Sequence, residues 1–463
     1  MAFLENYDIT ILILLFFTLS LITISLFFCS VKRYEIAIAM ILLSPWAHWL
    51  FMSNVQESLE ESMTAGPGTY VRISMVALAG VIGLFQFLKS KTRSHRNAPF
   101  YLLLFGIFVF FALLSTVYSI DKRYTFVRSA EFIFFFCFLL GFHYWLKDKT
   151  RLDKTLNIYF IIMTCGIAIN IIALLLFPDR VWWWRVPQRC KGLLDHPNTL
   201  GAFCMLSYPI LMWKYQRLSS AGKIPLLFLF CAVLFIHILS GSRASLAASV
   251  FGFVLWLLIQ NKVGLNSFAK ILSFVLIISF SIVLLLQSKP HSFRREVSDI
   301  TDLTGRAEFW RGCIQLVKEK PILGYGYGVG GKIWSDPRFH RSEQFLWAGS
   351  ARSSLHNGYL SIAIGMGATG LLVWLSFMLV PIWQVSCLSP CGYKTLIVVI
   401  LFQGLLLNFF ETSIASGSQV ITSLVFWVFL IMAGRLPFLL SSGRTDEIPA
   451  VSPARTTGIN YAT

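Results

Sequence analysis

Charged residues are scarce in this 463-residue sequence, in which Asp, Glu, Lys and Arg together make up 13%. A soluble domain would have about a quarter of its residues charged. Hydrophobic residues account for 56% of the chain, and they include 42 phenylalanines. Apolar runs long enough to cross a membrane as helices recur along the chain, whereas a membrane β-barrel would show strands of ~10 alternating residues. The sequence therefore predicts an all-α polytopic membrane protein.

Metal-binding patterns are missing as well. The nine cysteines form no CxxC motif and no Cys/His spacing that suits a metal. The basic motifs of the predicted outer loops, described below, are not accompanied by an acidic cluster of the Mg²⁺-binding type. We therefore predict neither a metal nor a cofactor. Cys190 and Cys313 fall in loops that we place outside the membrane, where a disulfide can persist, and their pairing stays open.

The apolar runs predict about 12–13 transmembrane helices within a single transmembrane domain, residues 1–434. The first run lacks the short apolar core and cleavage site of a signal peptide, so we expect it to remain as a helix. Residues 435–463 are rich in Ser, Thr and Pro and are predicted to form a disordered cytoplasmic tail. The predicted spans are 9–29, 35–52, 70–88, 99–118, 125–145, 155–177, 199–213, 224–239, 244–260, 268–287, 358–384, 395–411 and 418–434.

Loop charges predict the orientation of these spans. Basic loops at 32–33, 89–96 and 147–154 alternate with an acidic loop around Glu57, and the positive-inside rule places the basic loops in the cytoplasm. The net charge of +17 lies largely in such loops, next to anionic headgroups, so we predict no nucleic-acid partner. The predicted outer loops include 178–198, 240–243 and one large periplasmic loop, 288–357.

The large loop contains a predicted amphipathic helix over residues 305–320. Two interpretations stay open for it: the helix lies in the membrane interface with its apolar side down, or it packs against the ends of the spans. Its predicted apolar stripe consists of Phe309, Trp310, Cys313, Ile314 and Val317.

Ionisable residues are rare in the middle of the spans, and Arg128, Glu131 and Glu411 lie near predicted outer ends. Proton-coupled transport usually needs ionisable groups within the bilayer, and transporters often show repeated halves with broken helices, which we do not find. The pattern disfavours transport and directs attention to the outer surface. Two alternatives to an enzyme remain: an exporter, and a sensor or assembly partner of a larger machine.

Four short motifs on the predicted outer face carry arginines close to span ends. They are Arg189-Cys-Lys191-Gly192-Leu-Leu-Asp195-His196-Pro197-Asn198; Ser240-Gly-Ser242-Arg243; Thr304-Gly-Arg306 with Trp310 and the run Pro321 to Gly328; and Arg352-Ser-Ser-Leu-His356-Asn357.

Each motif alone has an ordinary explanation. Arg243 would reach lipid phosphates from a helix end, and Asn198 and Asn357 would cap the helices that follow them. A single interfacial histidine is more often structural than catalytic. The G-x-G-x-x-G spacing within 326–331 follows no strand, so we interpret it as a flexible turn rather than a nucleotide site.

Taken together, the motifs favour an anion site with a base. Several guanidinium groups on one face suit a diphosphate, because each planar fork pairs with two phosphate oxygens. His356 lies beside an arginine at the start of a span, and an imidazole titrates near neutral pH, as a general base for an acceptor hydroxyl requires. Arginines would stabilise a departing pyrophosphate without a metal.

These motifs resemble those of the O-antigen ligase and O-antigen/exopolysaccharide polymerase family, over roughly residues 180–435. The resemblance rests on the order, spacing and placement of the motifs around one large outer loop. The matching residues are Arg189, Gly192 and Asn198; Ser242 and Arg243; Arg306, Trp310, Pro321, Gly324 and Gly326; and His356 and Asn357.

The resemblance implies a GT-C-like fold in the bacterial inner membrane, with the active face in the periplasm. It implies an inverting, metal-independent glycosyltransferase that moves undecaprenyl-pyrophosphate-linked oligosaccharide or polysaccharide onto a glycan acceptor. Carried over residue by residue, His356 is the catalytic residue, as the base or as the residue that positions the acceptor. The donor-pyrophosphate ligands are Arg189, Arg243 and Arg306, to which we add Lys191 and Arg352 from their positions, with Asn198 and Asn357 supporting them.

With this resemblance, the two alternatives to an enzyme become an exporter of polysaccharide or lipid-linked glycan and a sensor or assembly partner of a polysaccharide machine. The acceptor distinguishes two enzymatic activities within this family. A ligase transfers to the lipid A core of lipopolysaccharide, whereas a polymerase transfers to another lipid-linked repeat. Arg338 followed by Gly349 fits an Arg-x10-Gly pattern associated with polymerases, which slightly favours an O-antigen or exopolysaccharide polymerase.

Overall fold

Apolar α-helices account for most of the chain in a computed structural model that describes residues 34–50, 67–91, 99–183, 186–194, 196–260, 306–331, 333, 355–412, 414 and 420–441. The helices are α1 (Glu35–Leu50), α2 (Pro67–Lys91), α3 (Phe100–Leu114), α4 (Lys122–Trp145), α5 (Lys149–Leu176), α6 (Pro178–Val181), α7 (Pro197–Tyr215), α8 (Ser220–Ser240), α9 (Arg243–Ile259), α10 (Arg306–Glu319), α11 (Gly358–Ser386), α12 (Gly392–Leu407) and α13 (Val420–Ser441). Short 3₁₀ helices cover Ser115–Val117 and Val329–Gly331, and two antiparallel strands, β1 (Trp182–Trp183) and β2 (Val186–Cys190), form a hairpin.

The predicted all-α class is confirmed, and eleven of the thirteen predicted spans correspond to helices. Spans 9–29 and 268–287 lie outside the described residues. Seven of the described helices are long and apolar enough to cross a membrane, so the chain is a multi-pass membrane protein. The last helix continues to Ser441, beyond the predicted end at 434, because the apolar run resumes after Arg435. The remainder of the predicted tail lies outside the described residues.

Helix α7 occupies the centre of the bundle. Fifteen of its 19 residues are buried, and it packs against α5, α8, α9, α12 and α13. Gly201 allows α9 to approach closely, since a Cβ at this position would lie 2.4 Å from the Cβ of Ser242. A helix surrounded on all sides has no lipid-facing stripe, which explains why small and polar residues are tolerated along it.

The helix ends form two polar surfaces on opposite sides of the apolar bundle. At one side, the basic end, Asp153 accepts hydrogen bonds from Arg217 (2.8 Å) and Tyr393 (2.9 Å), while Arg435 donates to the carbonyl of Leu146 (3.1 Å). The other side, the site end, consists of residues 115–123, 177–183, 186–194, 196–198, 240–243, 306–331, 355–358 and 407–412. All of the sequence motifs that the structure describes lie at the site end.

Helix α10 packs against the site end, which was one of the two interpretations of its sequence. Cys313 and Leu316 are buried in a small apolar cluster with Leu355, and the indole Nε1 of Trp310 donates to the carbonyl of Leu355 (3.3 Å). The predicted apolar stripe is wrong at Ile314, which is 45% exposed. Leu316 takes its place because the buried face of the helix is turned toward α11.

The glycine-rich segment after α10 is packed, so its interpretation as a flexible turn is wrong. The amides of Tyr325 and Gly326 donate to the carbonyls of Ile364 (2.9 Å) and Gly365 (2.8 Å) in α11. Gly324 and Gly326 have φ values of 68° and 113°, and a Cβ on Gly324 would lie 2.4 Å from the Ile364 carbonyl oxygen. Glycine is needed here both for the backbone conformation and for the close approach.

Cys190 and Cys313 are both free thiols, and both are buried. Cys190 ends strand β2, and Cys313 lies in the apolar cluster beneath α10. The disulfide left open by the sequence is therefore not formed.

Candidate functional site

Arg189 lies on strand β2 and joins three segments at the site end. Its Nε donates to the carbonyl of Ser240 at the end of α8 (2.9 Å), and one terminal nitrogen donates to Oδ1 of Asn198 at the start of α7 (2.6 Å). Its guanidinium carbon also lies 5.9 Å from the centroid of the Trp183 ring. Two acceptors in different directions hold the planar guanidinium in one orientation.

Asn198 extends these contacts to a buried carboxylate. Its Nδ2 donates to Oε1 of Glu411 (2.6 Å), and Oε2 of Glu411 lies 3.0 Å from Nδ1 of His356. Arg189, Asn198, Glu411 and His356 thus form a continuous series of contacts, which we call the polar chain. It connects the 189–198 region with the segments before α11 and after α12, which are far from it in sequence, and brings together three of the residues predicted for the site.

Glu411 was not among the predicted site residues, although its side chain is 2% exposed and contacts two of them. The signal available in the sequence was an acidic residue near the outer end of a span. Acidic residues are rare in the bilayer and usually have a partner there. The sequence could not identify that partner, because the contact from Asn198 spans 213 positions.

His356 has a left-handed backbone, with φ at 48°, which residues other than glycine rarely adopt. Its neighbours hold it in place: Leu355 is buried beneath Trp310, Asn357 caps α11 by accepting from the amide of Leu360 (3.0 Å), and the amide of Gly358 donates to the carbonyl of Asn408 (2.8 Å). Such conformations persist where the surroundings over-determine them and are frequent at active sites.

The contact with Glu411 determines what His356 can do chemically. A carboxylate only accepts hydrogen bonds, so Nδ1 carries the proton of the neutral ring and Nε2 carries the lone pair. The imidazole side chain is 22% exposed, compared with 2% for its carboxylate partner. The imidazole is therefore the more accessible member of the pair.

The two predicted capping asparagines behave differently. Asn357 caps its helix as expected. Asn198 does not: His196 is the N-cap of α7, and its Nδ1 accepts from the amide of Asn198 (3.0 Å). The side chain of Asn198 is thereby left to bridge Arg189 and Glu411. The imidazole of His196 also packs edge-on against Trp183, with 4.6 Å between ring centroids. Neither side chain was predicted for the site, although this imidazole and this indole lie beside Arg189.

The other predicted site residues lie near the polar chain or outside the residues that the structure describes. Arg243 is exposed and begins α9, three positions after the carbonyl that binds Arg189. Lys191 follows the hairpin, and its amide donates to the carbonyl of Val181 (2.8 Å). Arg306 begins α10, whereas Arg352 lies outside the described residues.

Within the described ranges, no three His, Cys, Asp or Glu side chains are grouped as metal ligands. The polar groups that the described site offers are guanidinium, amide, carboxylate and imidazole. That set can bind an anion through Arg189 and Arg243 and can remove a proton through His356.

Two comparisons with known proteins agree with this geometry. A sequence model of the O-antigen ligase family matches residues 226–375, which include Arg243, Arg306 and His356. The chain is also 25% identical, over 270 residues, to a ComP-specific O-oligosaccharyltransferase from Acinetobacter baylyi. That match covers 55% of this chain and 48% of the relative, so the chain spans about half the length of the curated relative it matches. The resemblance carried by the sequence motifs is confirmed, because residues 226–375 of the chain match the O-antigen ligase family.

Proposed function

We propose that this protein is a membrane glycosyltransferase that moves a glycan from a lipid pyrophosphate to an acceptor hydroxyl. The observation that carries the proposal is the polar chain, in which an anion-binding arginine and an oriented imidazole are connected through Asn198 and Glu411. The donor is undecaprenyl-pyrophosphate-linked oligosaccharide or polysaccharide, bound from the periplasmic side of the bacterial inner membrane.

The cationic residues of the site end bind the donor pyrophosphate. Arg189 is held rigidly by Ser240 and Asn198, and Arg243 is exposed on the adjacent turn. Among the described side chains of the polar chain and this turn, Glu411 is the one acidic group, and it faces His356. A guanidinium pairs with phosphate oxygens through two parallel hydrogen bonds, which favours a diphosphate over a single negative charge. Lys191, Arg306 and Arg352 are proposed to complete the set, and Asn357 supports the base through its helix cap.

In the transfer step, the acceptor oxygen attacks the anomeric carbon from the face opposite the pyrophosphate. A new C–O bond forms, the bond to the pyrophosphate oxygen breaks with its electron pair, and the sugar carbon is inverted. The acceptor proton moves to Nε2 of His356, and Glu411 stabilises the resulting imidazolium. The arginines balance the charge that develops on the leaving pyrophosphate, so the proposed step requires no metal.

Three classes of acceptor fit this activity. The favoured one is a lipid-linked repeat, which makes the protein an O-antigen or exopolysaccharide polymerase, and the alternative is the lipid A core, which makes it a ligase. The name of the relative from Acinetobacter baylyi describes O-transfer of an oligosaccharide that is specific for ComP, and it adds a third class of acceptor.

The acceptor is tested with a deletion strain whose glycans are resolved by chain length. Single-repeat products indicate a polymerase, intact polymer that remains on the lipid carrier indicates a ligase, and loss of a glycan from a protein indicates a protein acceptor. Purified wild-type protein should perform the same transfer from a lipid-linked oligosaccharide.

Two variants test the residue roles. His356→Ala and Arg243→Ala should insert and fold but produce no transferred glycan. Arg123→Ala is a matched control, because Arg123 is also an exposed arginine near the start of a helix at the site end. Wild-type glycan levels in both His356→Ala and Arg243→Ala would contradict the proposed function.

A further inference from the structure

A second buried histidine lies directly beneath the turn that carries Arg243. His237 is 1% exposed and lies in the last turn of α8. Its Nδ1 is 3.2 Å from the hydroxyl of Tyr208 in α7, and its Nε2 is 2.8 Å from Oγ of Ser245 in α9. One imidazole therefore connects three helices immediately below the proposed donor site.

The hydrogen bonds around this imidazole can all form at once with one placement of the protons on the ring nitrogens and the two hydroxyls. The hydroxyl of Ser245 donates its one hydrogen to the carbonyl of Ser242 (3.0 Å), so its oxygen accepts from Nε2–H of His237. Nδ1 then carries the lone pair and accepts from the hydroxyl of Tyr208. Every member is buried, and an unsatisfied buried partner is costly, so this arrangement strongly favours one geometry.

These hydrogen bonds reach the turn between α8 and α9, residues 240–243. Oγ of Ser240 donates to the carbonyl of His237 (2.6 Å) and accepts from the amide of Ser242 (3.2 Å). Gly241 has φ at 60°, and a Cβ there would lie 3.2 Å from Nε of Arg189, so the arginine packs directly on the turn. The turn is thus fixed from below by His237 and contacted from above by Arg189.

We propose that His237 is a positioning residue for donor binding, acting through this turn on Arg189 and Arg243. The turn supplies the carbonyl of Ser240 that orients Arg189, and it supplies Arg243 itself. A change in its conformation would move both guanidinium groups relative to a bound diphosphate. The proposal rests on the proposed function, because it assigns the two arginines to the lipid-pyrophosphate donor.

The test compares donor and acceptor kinetics in purified full-length variants. His237→Phe keeps an aromatic ring and removes both hydrogen bonds, whereas Ser245→Ala removes one of them and leaves the imidazole. Losing one such buried bond should raise the KM for the lipid-pyrophosphate donor about tenfold, with the KM for the acceptor unchanged. His237→Gln, whose amide nitrogen can still donate to Ser245, should recover part of the donor affinity.

His143→Phe is the matched control. His143 is also a buried imidazole, and its Nδ1 lies 2.7 Å from the hydroxyl of Tyr101, but it belongs to the last turn of α4 near the basic end. It should lower thermal stability without changing the donor KM. In a direct binding assay with the lipid-pyrophosphate donor, which requires no turnover, adding Arg243→Ala to His237→Phe should cost less donor affinity than the product of the two single effects, because both act through the same turn.

The outcomes separate this inference from the proposed function. If wild-type protein transfers glycan and the donor KM in His237→Phe and Ser245→Ala changes no more than in His143→Phe, the positioning role is wrong and the transferase stands. If wild-type protein transfers no glycan from lipid pyrophosphate, the proposed function and this inference both fail. Should His237→Phe not fold, Ser245→Ala carries the same comparison.

Discussion

Glu411 and His356 form a carboxylate–imidazole pair, with Oε2 3.0 Å from Nδ1, between the segment after α12 and the segment before α11. The carboxylate is 2% exposed and the imidazole 22%. Because the pair is partly removed from water, its electrostatic interaction is stronger than that of a surface pair. A carboxylate beside Nδ1 favours the tautomer that carries the ring proton on this nitrogen, and the proposed mechanism assigns the base to Nε2.

Replacing Glu411 with Gln should therefore lower kcat for glycan transfer. The amide preserves the shape of the side chain but removes the charge that stabilises an imidazolium, and hydrogen bonds to charged groups are worth about 1.5–3 kcal/mol, or roughly ten- to a hundredfold in rate. The measurement is the turnover of purified protein with a saturating lipid-linked donor.

Glu131→Gln provides the control for that substitution. Glu131 is another largely buried carboxylate, paired with Arg128 at 3.2 Å within α4. Its neutralisation should reduce stability and leave kcat close to the wild-type value. A Glu411→Gln protein that turns over at the wild-type rate would contradict the role of Glu411.

A second prediction concerns the packing of the glycine-rich segment. In Gly326→Ala the new Cβ would lie 2.3 Å from Oγ of Ser119, at a residue whose φ is 113°. Overpacking together with an incompatible φ should lower the free energy of unfolding by about 2–4 kcal/mol. The measurement is thermal unfolding in detergent, followed by the intrinsic fluorescence of tryptophan.

Gly222→Ala is its matched control. Gly222 lies in the first turn of α8, where an added Cβ meets side-chain atoms at ordinary distances of 3.4 Å and more. Alanine should be neutral or slightly stabilising there. Equal unfolding temperatures for the two alanine variants would indicate that the segment from Gly324 to Gly328 is loosely packed.

Much of the helical fold could be predicted from the sequence, because a span requires a long apolar run and few charges. The start of α11 at Gly358, for example, was predicted at the same residue. Arg189, Asn198 and His356 could also be identified, since each lies in a short motif at the end of a span. Their contacts could not, because a position in sequence does not determine which distant segment it meets.

Glu411 and the glycine-rich segment show where sequence reasoning stopped. Glu411 belongs to no motif, and its importance arises from two partners on other helices. Glycines predict conformational freedom, yet the backbone between Gly324 and Gly326 is held by hydrogen bonds to α11 that no local pattern reveals. In both cases the decisive interaction is tertiary.

A third prediction tests the orientation of the bundle. Cys387 is exposed between α11 and α12 at the basic end, and Arg180 is exposed in α6 at the site end. As single cysteines, Cys387 should react with a membrane-impermeant maleimide from the cytoplasmic side, and Arg180→Cys should react from the periplasmic side. Labelling of spheroplasts and of inverted vesicles measures the difference, and the reverse pattern would place the site end in the cytoplasm.

A third single-cysteine protein, which retains only Cys190, serves as a control in the same experiment. Cys190 lies at the site end, but the residue is 3% exposed, and burial raises the pKa of its thiol. Less thiolate forms at a given pH, so its maleimide reaction should be slow in the native protein and should accelerate after denaturation. Rapid labelling of native Cys190 would show that its thiol is not buried in the folded protein.

The final prediction separates two roles for Arg189. If the residue acts as a charge near lipid headgroups, Arg189→Lys should behave like the wild type, because lysine preserves the charge. The structure instead has Nε directed to Ser240 and a terminal nitrogen directed to Asn198, at 2.9 and 2.6 Å. A lysine ammonium is a single point of charge and cannot reproduce that fork. We expect Arg189→Lys to raise the donor KM by about ten- to a hundredfold, corresponding to the loss of about 1.5–3 kcal/mol for a charged hydrogen bond.

Arg123→Lys, at an exposed arginine of the same surface, should leave the donor KM unchanged. Because the charge is equal in the two substitutions, only the geometry around Arg189 distinguishes them, and equal donor KM values would assign Arg189 to headgroup contact rather than to the pyrophosphate site.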